Sequence, residues 1–262
     1  MTGKEKLIYL SIQYNGDYQK IVDHIIKRLD VDENATLPKL TCKALTILDE
    51  EYPEVIKHHV HPPIVLFYYG DISLIKDPNK NLAVVGTRNA TQYGLDKTNE
   101  IVSQVAKEYN IVSGLALGID AMAHQSAISA GGKTIAVLGC GIDRCYPSEN
   151  KELYEIIKEK HLVISEYPFN YYVPANSFPF RNRLIVMFSK GVLISEAFKY
   201  SGTSITANFA LNYNKDVLCV PYSADCDSFC NRLIAQGAFL VENAEDVFGV
   251  IGHVKKEPIF EN

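Results

Sequence analysis

Seven short apolar runs recur along the chain from about residue 81, and longer segments with helical spacing separate most of them. Each run is rich in β-branched residues and continuously apolar, which is typical of a strand covered on both faces. Strand and helix in alternation indicate right-handed crossovers. The pattern therefore predicts an α/β fold with a doubly wound, mostly parallel sheet, its strands at 82–86, 110–114, 133–139, 161–165, 191–195, 216–220 and 238–242.

The first 77 residues do not share this alternation. They contain a helical pattern at 17–29 and a turn-rich stretch at 52–63, and the end of the chain is polar and unpatterned. We therefore expect three parts: a short N-terminal helical extension at 1–77, a core at 78–252 and a tail at 253–262.

The composition is that of an ordinary globular protein, with 47% hydrophobic and 22% charged residues among 262. The N-terminal apolar run is too short for a signal peptide or a membrane span, and six cysteines without a secretion signal favour reduced thiols. We expect a cytoplasmic protein that does not engage a membrane. The net charge of −5 argues mildly against a nucleic-acid partner, although a local basic strip is compatible with it.

Ligands of a doubly wound sheet bind beyond the carboxyl ends of its strands, so the residues after each apolar run carry the candidate chemistry. After the first run, Gly86 lets a ligand approach the backbone, and Arg88 offers a guanidinium fork to phosphate oxygens. A turn with a surface arginine explains the same residues equally well.

The second run leads into a loop with Ser113, Gly114 and Gly118, which opens a helix and presents backbone N–H groups suited to an anion. Glycines that only permit a tight turn are the alternative. Asp120 and His124 lie one turn apart on that helix. Acid–base catalysis and one half of a metal site are two alternative roles for this pair. A helix cap and a structural hydrogen bond are favoured over both.

A later helix opens in the same way with Ser201, Gly202 and Thr203, and either a second N–H cradle or an ordinary helix start accounts for them. Lys151 stands at the start of another helix, where an anion and bulk solvent are equally good partners for its ammonium group. Two cradles in one sheet favour phosphate binding.

The densest basic stretch precedes a predicted apolar helix at 184–189. Arg181, Asn182 and Arg183 stand there beside Phe180, and Lys199 follows the next apolar run. Positive charge beside aromatic faces suits a single nucleic-acid strand, because phosphates need charge and bases stack. An ion pair between one of the arginines and a carboxylate is the alternative.

No motif supplies a convincing catalyst, cofactor site or metal site. The chain has no Walker A, HExxH or nucleophile-elbow pattern, and the GxG at 139–141 lacks the third glycine of a dinucleotide fingerprint. Cys226 and Cys230 lack nearby partners for zinc. We therefore predict a protein that is not an enzyme and needs no cofactor or metal.

Taken together, these blocks resemble the DNA-processing protein A family (DprA, also called Smf), over about residues 44–242. Single blocks such as GTR are weak, but their combination in this order is highly specific. The matching stretches are LTILDEEYPEVIK (45–57), PPIVLFYYGD (62–71), VVGTRNATQYG (84–94), SGLALGIDAMAHQSAI (113–128), TIAVLGCGIDRCYPSENKEL (134–153), ISEYP (164–168), FPFRNRLI (178–185) and SEAFKYSGTSITANFA (195–210).

The resemblance implies an extended Rossmann-like core that binds single-stranded DNA, forms a homodimer and loads the RecA recombinase during natural transformation. It points to a DNA-facing set at the strand ends, to which the residue pattern adds Gly86, Phe180 as a base-stacking ring, and Lys199. The full predicted set is Gly86, Arg88, Ser113, Gly114, Gly118, Lys151, Phe180, Arg181, Asn182, Arg183, Lys199, Ser201, Gly202 and Thr203.

The chain departs from the family pattern at two turns, where Tyr222 and Phe229 stand at positions usually held by glycine. Two rival functions stay open. Related lysine-decarboxylase-like Rossmann families hydrolyse nucleoside monophosphates through a PGGxGTxxE stretch, for which this chain has SEAFKYSGTSITA without the double glycine or the following glutamate. A nucleotide-sensing module is the other rival.

Overall fold

The computed structural model describes residues 1–31, 35–171, 176–198 and 202–252. Its strands join into a single sheet, and all seven predicted apolar runs contribute to it. The strands are β1 (Lys43–Thr46), β2 (Val65–Gly70), β3 (Asn81–Gly86), β4 (Asn110–Ser113), β5 (Thr134–Val137), β6 (Leu162–Ser165), β7 (Gly191–Glu196), β8 (Asp216–Cys219) and β9 (Phe239–Leu240).

The helices fill the connections between these strands, and short 3-10 helices occur at Ile72–Ile75, Pro78–Lys80 and Ser148–Asn150. The α-helices are α1 (Gly3–Gln13), α2 (Tyr18–Ile26), α3 (Glu54–Lys57), α4 (Gln92–Val105), α5 (Ile119–Ser129), α6 (Lys151–Lys160), α7 (Ser177–Met187), α8 (Thr203–Asn212), α9 (Phe229–Ala235) and α10 (Ala244–Ile251).

The strand order is β1-β2-β6-β5-β4-β3-β7-β8-β9, and every pair from β6 to β9 is parallel. From β3 the chain winds outward through β4, β5 and β6, and then returns to place β7 on the other side of β3. The predicted α/β, doubly wound and mostly parallel fold is therefore confirmed. Its strand order reverses between β3 and β7, which is where such sheets bind ligands.

Strand β3 shows why the central runs are continuously apolar. Ala83 and Val85 pack into the core on one face of the sheet, while Leu82 and Val84 pack into a second core on the opposite face. All four side chains are buried. Because helices cover both faces, a polar residue has no solvent-facing position along this strand.

The sheet extends beyond the part that the alternation predicted. β1 and β2 lie within the first 77 residues, pair antiparallel with each other, and join the sheet through β6. Helices α1 and α2 precede them. The boundary at residue 77 stays a prediction, and the predicted tail lies outside the described residues.

The last apolar run was predicted to be a strand covered on both faces, which is wrong. β9 has only two residues, lies at the edge of the sheet, and leaves Phe239 and Leu240 each 46% exposed. Its neighbour Val241 supplies the buried position instead. Within the described ranges, no helix has both the length and the apolar character needed to cross a membrane.

Candidate nucleic-acid interface

A cleft of about 390 Å³ opens at the carboxyl ends of β3 and β7, where the strand order reverses. We call it the switch-point cleft. The start of α7, the start of α8 and the loops after β3 and β4 form its walls. It brings together six of the predicted site residues from three separate parts of the sequence: Gly86, Arg88, Arg181, Asn182, Gly202 and Thr203.

Arg88 is the accessible cation of this cleft. Its side chain is exposed at the rim, and no carboxylate in the described part of the chain forms an ion pair with it. Burial lowers the pKa of the neighbouring Arg181, the charge of Asp120 raises it, and the charge of Arg88 lowers it further. The two guanidinium groups and the buried carboxylate of Asp120 therefore line one space.

Arg181 forms the inner wall and ties several elements together. Its Nη1 donates to the carbonyl of Gly114 at 2.7 Å and to the carbonyl of Val137, while its Nε donates to Asn182 Oδ1 at 3.1 Å. Asn182 Nδ2 then donates to Thr206 Oγ1 at 3.0 Å. The guanidinium thus links α7 to the ends of β4 and β5 and, through Asn182, to α8.

Two helix starts at this edge already hold a carboxylate from the protein itself. Glu196 accepts from the Thr91 N–H and hydroxyl, both at 2.8 Å, at the start of α4. Asp120 accepts from the amides of Gly114 at 3.1 Å and Ala116 at 3.4 Å, in the loop before α5. The N–H cradle predicted at 113–118 is therefore occupied in part by Asp120, as the structural interpretation of that residue required.

The start of α8 differs from the other two in its cap residue. Its first residue is Thr203 and its N-cap is Gly202, which has no side chain with which to form a capping hydrogen bond. Among the described residues, nothing lies within 4 Å of a Cβ placed at Gly202. The helix dipole favours a negative charge at such a helix start.

Three predicted residues, Ser113, Gly86 and Gly114, lie where neighbouring elements pack closely. Ser113 is fully buried and donates its hydroxyl to the Val84 carbonyl at 2.7 Å. A Cβ at Gly86 would lie 2.5 Å from Ile119 Cγ1, and one at Gly114 would lie 2.6 Å from the Arg181 guanidinium. These positions need small side chains because neighbouring elements approach closely, which is the tight-turn alternative.

Gly118 lets the loop before α5 lie against the loop that carries Arg88. Its φ is +72°, in the left-handed region, and a Cβ there would lie 2.7 Å from the Arg88 carbonyl oxygen. We expect Gly118→Ala to lower the free energy of unfolding by roughly 1–3 kcal/mol more than Gly131→Ala. Gly131 is the matched control, since its φ is +75° but nothing lies within 4 Å of its Cβ position. Equal losses in urea unfolding would show that the contact with the Arg88 loop contributes nothing.

Arg183 does not face the cleft. Its guanidinium is fully buried and forms two hydrogen bonds with the Glu166 carboxylate, at 2.6 and 2.7 Å. The predicted alternative, an arginine paired with a carboxylate, is therefore realised by Arg183, and this residue is not available to phosphate. Phe180 lies against it, with the ring centroid 3.9 Å from the guanidinium carbon, and lines a different pocket.

Lys151 is exposed at the first residue of α6 but lines a separate depression, together with Asp143, Ser148 and Glu155. The depression also includes Arg144, so it contains charges of both signs, and the role of Lys151 stays a prediction. The predicted residues Lys199 and Ser201 lie outside the described residues.

His124 is a structural residue whose burial makes the stability of the fold depend on pH. Its Nδ1 lies 2.6 Å from the hydroxyl of Thr134, and because that hydroxyl donates to the Ile111 carbonyl, the imidazole is the donor. Burial, helped by the charges of His161 and Arg181, lowers the pKa of His124 from 6.5 to about 3.

The depressed pKa predicts a loss of stability in acid. The contribution of His124 to the free energy of unfolding is complete above pH 6.5, where the imidazole is neutral in both the folded and the unfolded chain. It falls as the pH drops from 6.5 towards 3, because the unfolded chain binds the proton first. We expect a loss of about 1.4 kcal/mol per pH unit over that window, relative to His124→Gln. Urea unfolding at a series of pH values measures it, and parallel curves for the two proteins would contradict it.

With this geometry in view, comparison with known proteins decides the family. A model of the family described as DNA recombination-mediator protein A matches residues 43–252. The chain belongs to this family. The resemblance to DprA and Smf proteins is thereby confirmed.

Individual DprA proteins are similar over most of their length. The DNA processing protein DprA of Streptococcus pneumoniae is 40% identical over 211 residues, which cover 78% of this chain and 72% of that protein. DprA of Bacillus subtilis is 38% identical over 208 residues, covering 78% and 69%. The crystal structure of the Streptococcus pneumoniae protein superposes with a TM-score of 0.76 at 32% identity, covering 94% of this chain and 92% of that one.

A DprA of Helicobacter pylori superposes with a TM-score of 0.73 at 29% identity, covering 81% of this chain and 96% of that one. That structure concerns the unique single-stranded DNA binding mode of the Helicobacter pylori protein.

The two departures from the DprA pattern fit the fold without strain. Neither Tyr222 nor Phe229 has a positive φ. Tyr222 packs edge-on against Tyr93, with ring centroids 4.9 Å apart, and Phe229 is the first residue of α9 behind the N-cap Ser228. The left-handed geometry that would demand glycine is absent at both positions.

The sequence reasoning missed Phe178, because it placed the start of α7 too late. α7 begins at Ser177, so FPFRNR forms its first turns instead of a preceding loop, and Phe178, Arg181, Asn182 and Ile185 lie on one face at helical spacing. Phe180 and Arg183 lie on the other. A helix predicted to begin at residue 177 would have placed these two groups of residues on opposite faces from the sequence alone.

Proposed function

We propose that this DprA-family protein is a single-stranded DNA-binding protein that is not an enzyme, with the DNA backbone lying in the switch-point cleft. The observation that carries the proposal is a combination. Arg88 is exposed and forms no ion pair with a carboxylate of the described residues, and the start of α8, with Gly202 as its N-cap, opens into the same cleft. The start of α4 and the loop before α5 already hold the carboxylates of Glu196 and Asp120. The part of the cleft that remains for an anionic ligand is therefore the part lined by Arg88 and the start of α8.

Phosphate groups would contact three parts of this cleft. Arg88 offers a guanidinium fork at the rim, and the guanidinium of Arg181 lines the inner wall. The amides at the start of α8 add uncharged donors, and Gly202 leaves room for the phosphate. Charge on one wall and amides on the other suit a phosphodiester backbone more than a compact free anion.

An apolar shelf beside Arg88 would receive a base. Tyr146 and Phe178 lie with ring centroids 5.2 Å apart, and both line a small recess with Leu117 and Arg88. Tyr146 is 45% exposed and Leu117 is 38% exposed, so the shelf is accessible. Stacking on such a shelf is tolerant of sequence, because every base presents a π face.

The single-strand preference also has support from a relative, since the Helicobacter pylori protein is described with a single-stranded DNA binding mode. We extend the proposal to recombination in the cytoplasm, in natural transformation, with the bound strand passed to the RecA recombinase. This part rests on family membership and on the recombination-mediator description of the family.

The exposed edge strand β9 supports a homodimer. Phe239 and Leu240 are both 46% exposed, and within the described part of the chain no further strand follows β9 in the sheet. Such an edge is a template for pairing with a second chain. We expect Leu240→Lys to convert a dimer to a monomer in sedimentation equilibrium, because a lysine at a strand edge opposes pairing. A dimer that persists unchanged in this variant would remove β9 from the interface.

The rival function is hydrolysis of a nucleoside monophosphate. The carboxylate of Asp120 is buried and accepts two backbone amides, and burial raises its pKa. This carboxylate therefore holds the loop before α5 in place, and the described residues lining the cleft include no other carboxylate that could bind a sugar. Incubation with AMP is expected to release no adenine, and release of adenine would establish the rival.

The direct experiment is an equilibrium titration of a labelled single strand and of its duplex at two salt concentrations. We expect tighter binding of the single strand, with log K falling by about 0.7 per log unit of salt for each phosphate contacted. Equal affinity for both forms, or an affinity independent of salt, would contradict the proposal.

A further inference from the structure

A second pocket, of about 490 Å³, lies between the turn that joins α1 to α2 and the opposite face of α7. We call it the aromatic pocket. Tyr18, His61 and Phe180 line it, and they come from three separate segments of the chain. Nothing in the switch-point cleft uses Tyr18 or His61, so the function proposed above leaves this pocket unexplained.

The three rings form a cluster. Ring centroids lie 5.4 Å apart for Tyr18 and His61, 6.0 Å for Tyr18 and Phe180, and 6.4 Å for His61 and Phe180. The pairs that include His61 are edge-to-face, an arrangement that favours aromatic contacts. His61 itself is exposed, so the cluster opens to solvent at one side.

The buried ion pair of Arg183 and Glu166 packs against the inner side of this cluster. The Arg183 guanidinium carbon lies 3.9 Å from the Phe180 ring centroid and 5.6 Å from that of Tyr18, and Glu166 anchors the guanidinium. The two rings are therefore fixed by contacts on their inner side. His61 adopts φ = +58°, which costs energy for a residue with a Cβ and is retained where the surroundings demand it.

Polar groups surround the rings. Gln13, Asn15 and Asn176 line the pocket, and Lys20 is paired there with the carboxylate of Asp17 at 3.4 Å. A nucleobase has flat apolar faces and hydrogen-bonding edges. Rings for the faces and amides for the edges match those two features, and the paired charges leave no net charge against the base.

Helix α7 is shared by the cleft and the pocket. Phe178 and Arg181 lie on its cleft face, and Phe180 lies on its pocket face. A helix with its side chains is only about 10 Å across, so a flexible strand can cross it. We propose that the aromatic pocket holds nucleobases of the same DNA strand whose phosphates lie in the switch-point cleft. This proposal rests on the single-strand function above.

The test compares two oligonucleotide lengths on three proteins. A strand of roughly 4 nucleotides fills the cleft alone, and one of roughly 12 also reaches the pocket. We expect Tyr18→Leu to weaken binding of the long strand about tenfold while leaving the short strand unchanged. Tyr18→Phe keeps the ring and is expected to bind both strands like the wild type. An unchanged affinity of Tyr18→Leu for the long strand would overturn the proposal, and so would an equal loss for both strands.

Photocrosslinking supplies a readout that altered folding cannot imitate. A long strand with iodouracil at successive positions is expected to crosslink to peptides containing Tyr18, His61 or Phe180, and crosslinks confined to the cleft would overturn the proposal. Thymidine monophosphate tests a free nucleotide as the occupant. Saturable binding of it that Tyr18→Leu abolishes, with the long strand unaffected, would assign the pocket to a nucleotide instead. If the wild type binds neither strand, the proposed function fails before this inference is reached.

Discussion

Glu166→Ala is expected to lower the free energy of unfolding by about 3–5 kcal/mol, because it leaves the Arg183 guanidinium buried without a partner. The side chains of this pair are 0% and 7% exposed, so solvent cannot replace the lost carboxylate. The Nε of Arg183 already has no partner among the described residues. Urea unfolding measures the loss.

An exposed ion pair of nearly the same length is the control. Arg232 and Asp227 are 2.5 Å apart, but their side chains are 47% and 62% exposed. Asp227→Ala is expected to cost less than about 1 kcal/mol, because water screens and solvates both groups. A double variant, Glu166→Leu with Arg183→Met, is expected to recover most of the stability by replacing both charges. A loss in Glu166→Ala no larger than in Asp227→Ala would contradict the account of Arg183 as a structural residue.

Arg88→Ala is expected to weaken single-strand binding roughly tenfold or more, since a hydrogen bond to a charged group contributes about 1.5–3 kcal/mol. The loss should be similar for all base sequences, because a phosphate contact carries no sequence information. The dependence of log K on log salt should flatten by about 0.7 for each phosphate contact removed. Equilibrium titration of the variant at several salt concentrations gives both quantities.

Arg232→Ala is the matched control for this prediction, since it also removes an exposed arginine but lies outside the cleft lining. Its affinity and salt slope are expected to equal those of the wild type. If both arginine variants lose affinity equally, binding depends on overall charge and the switch-point cleft has no special role.

The central strands could be predicted from the sequence because burial on both faces leaves a strong signal. Each of the seven apolar runs contributes a strand, and the strand order then places their ends at one edge. β1 and β2 carry a weaker signal. β2 ends in Tyr68, Tyr69 and Gly70, which are only partly covered or exposed, so its run lacks the continuous burial of β3.

The sequence predicted which residues meet in the cleft better than it predicted what each residue does there. Arg88, Arg181, Asn182, Gly202 and Thr203 meet in one cleft, as expected of residues at a topological switch point. The sequence could not show that Glu196 occupies the start of α4, because Thr91 lies 105 residues away from it along the chain. Arg181 and Arg183 could be separated only by fixing the start of α7, and helix boundaries are set by tertiary packing as much as by local sequence.

The central claim, that a DNA strand lies in the switch-point cleft against Arg88, is tested most directly by an arginine footprint. The protein is treated with phenylglyoxal in the presence and absence of a saturating single-stranded oligonucleotide, and each modified arginine is quantified by mass spectrometry. We predict that the oligonucleotide protects Arg88 and leaves the exposed Arg232 as reactive as before. Arg88 that reacts equally with and without bound DNA would contradict the account.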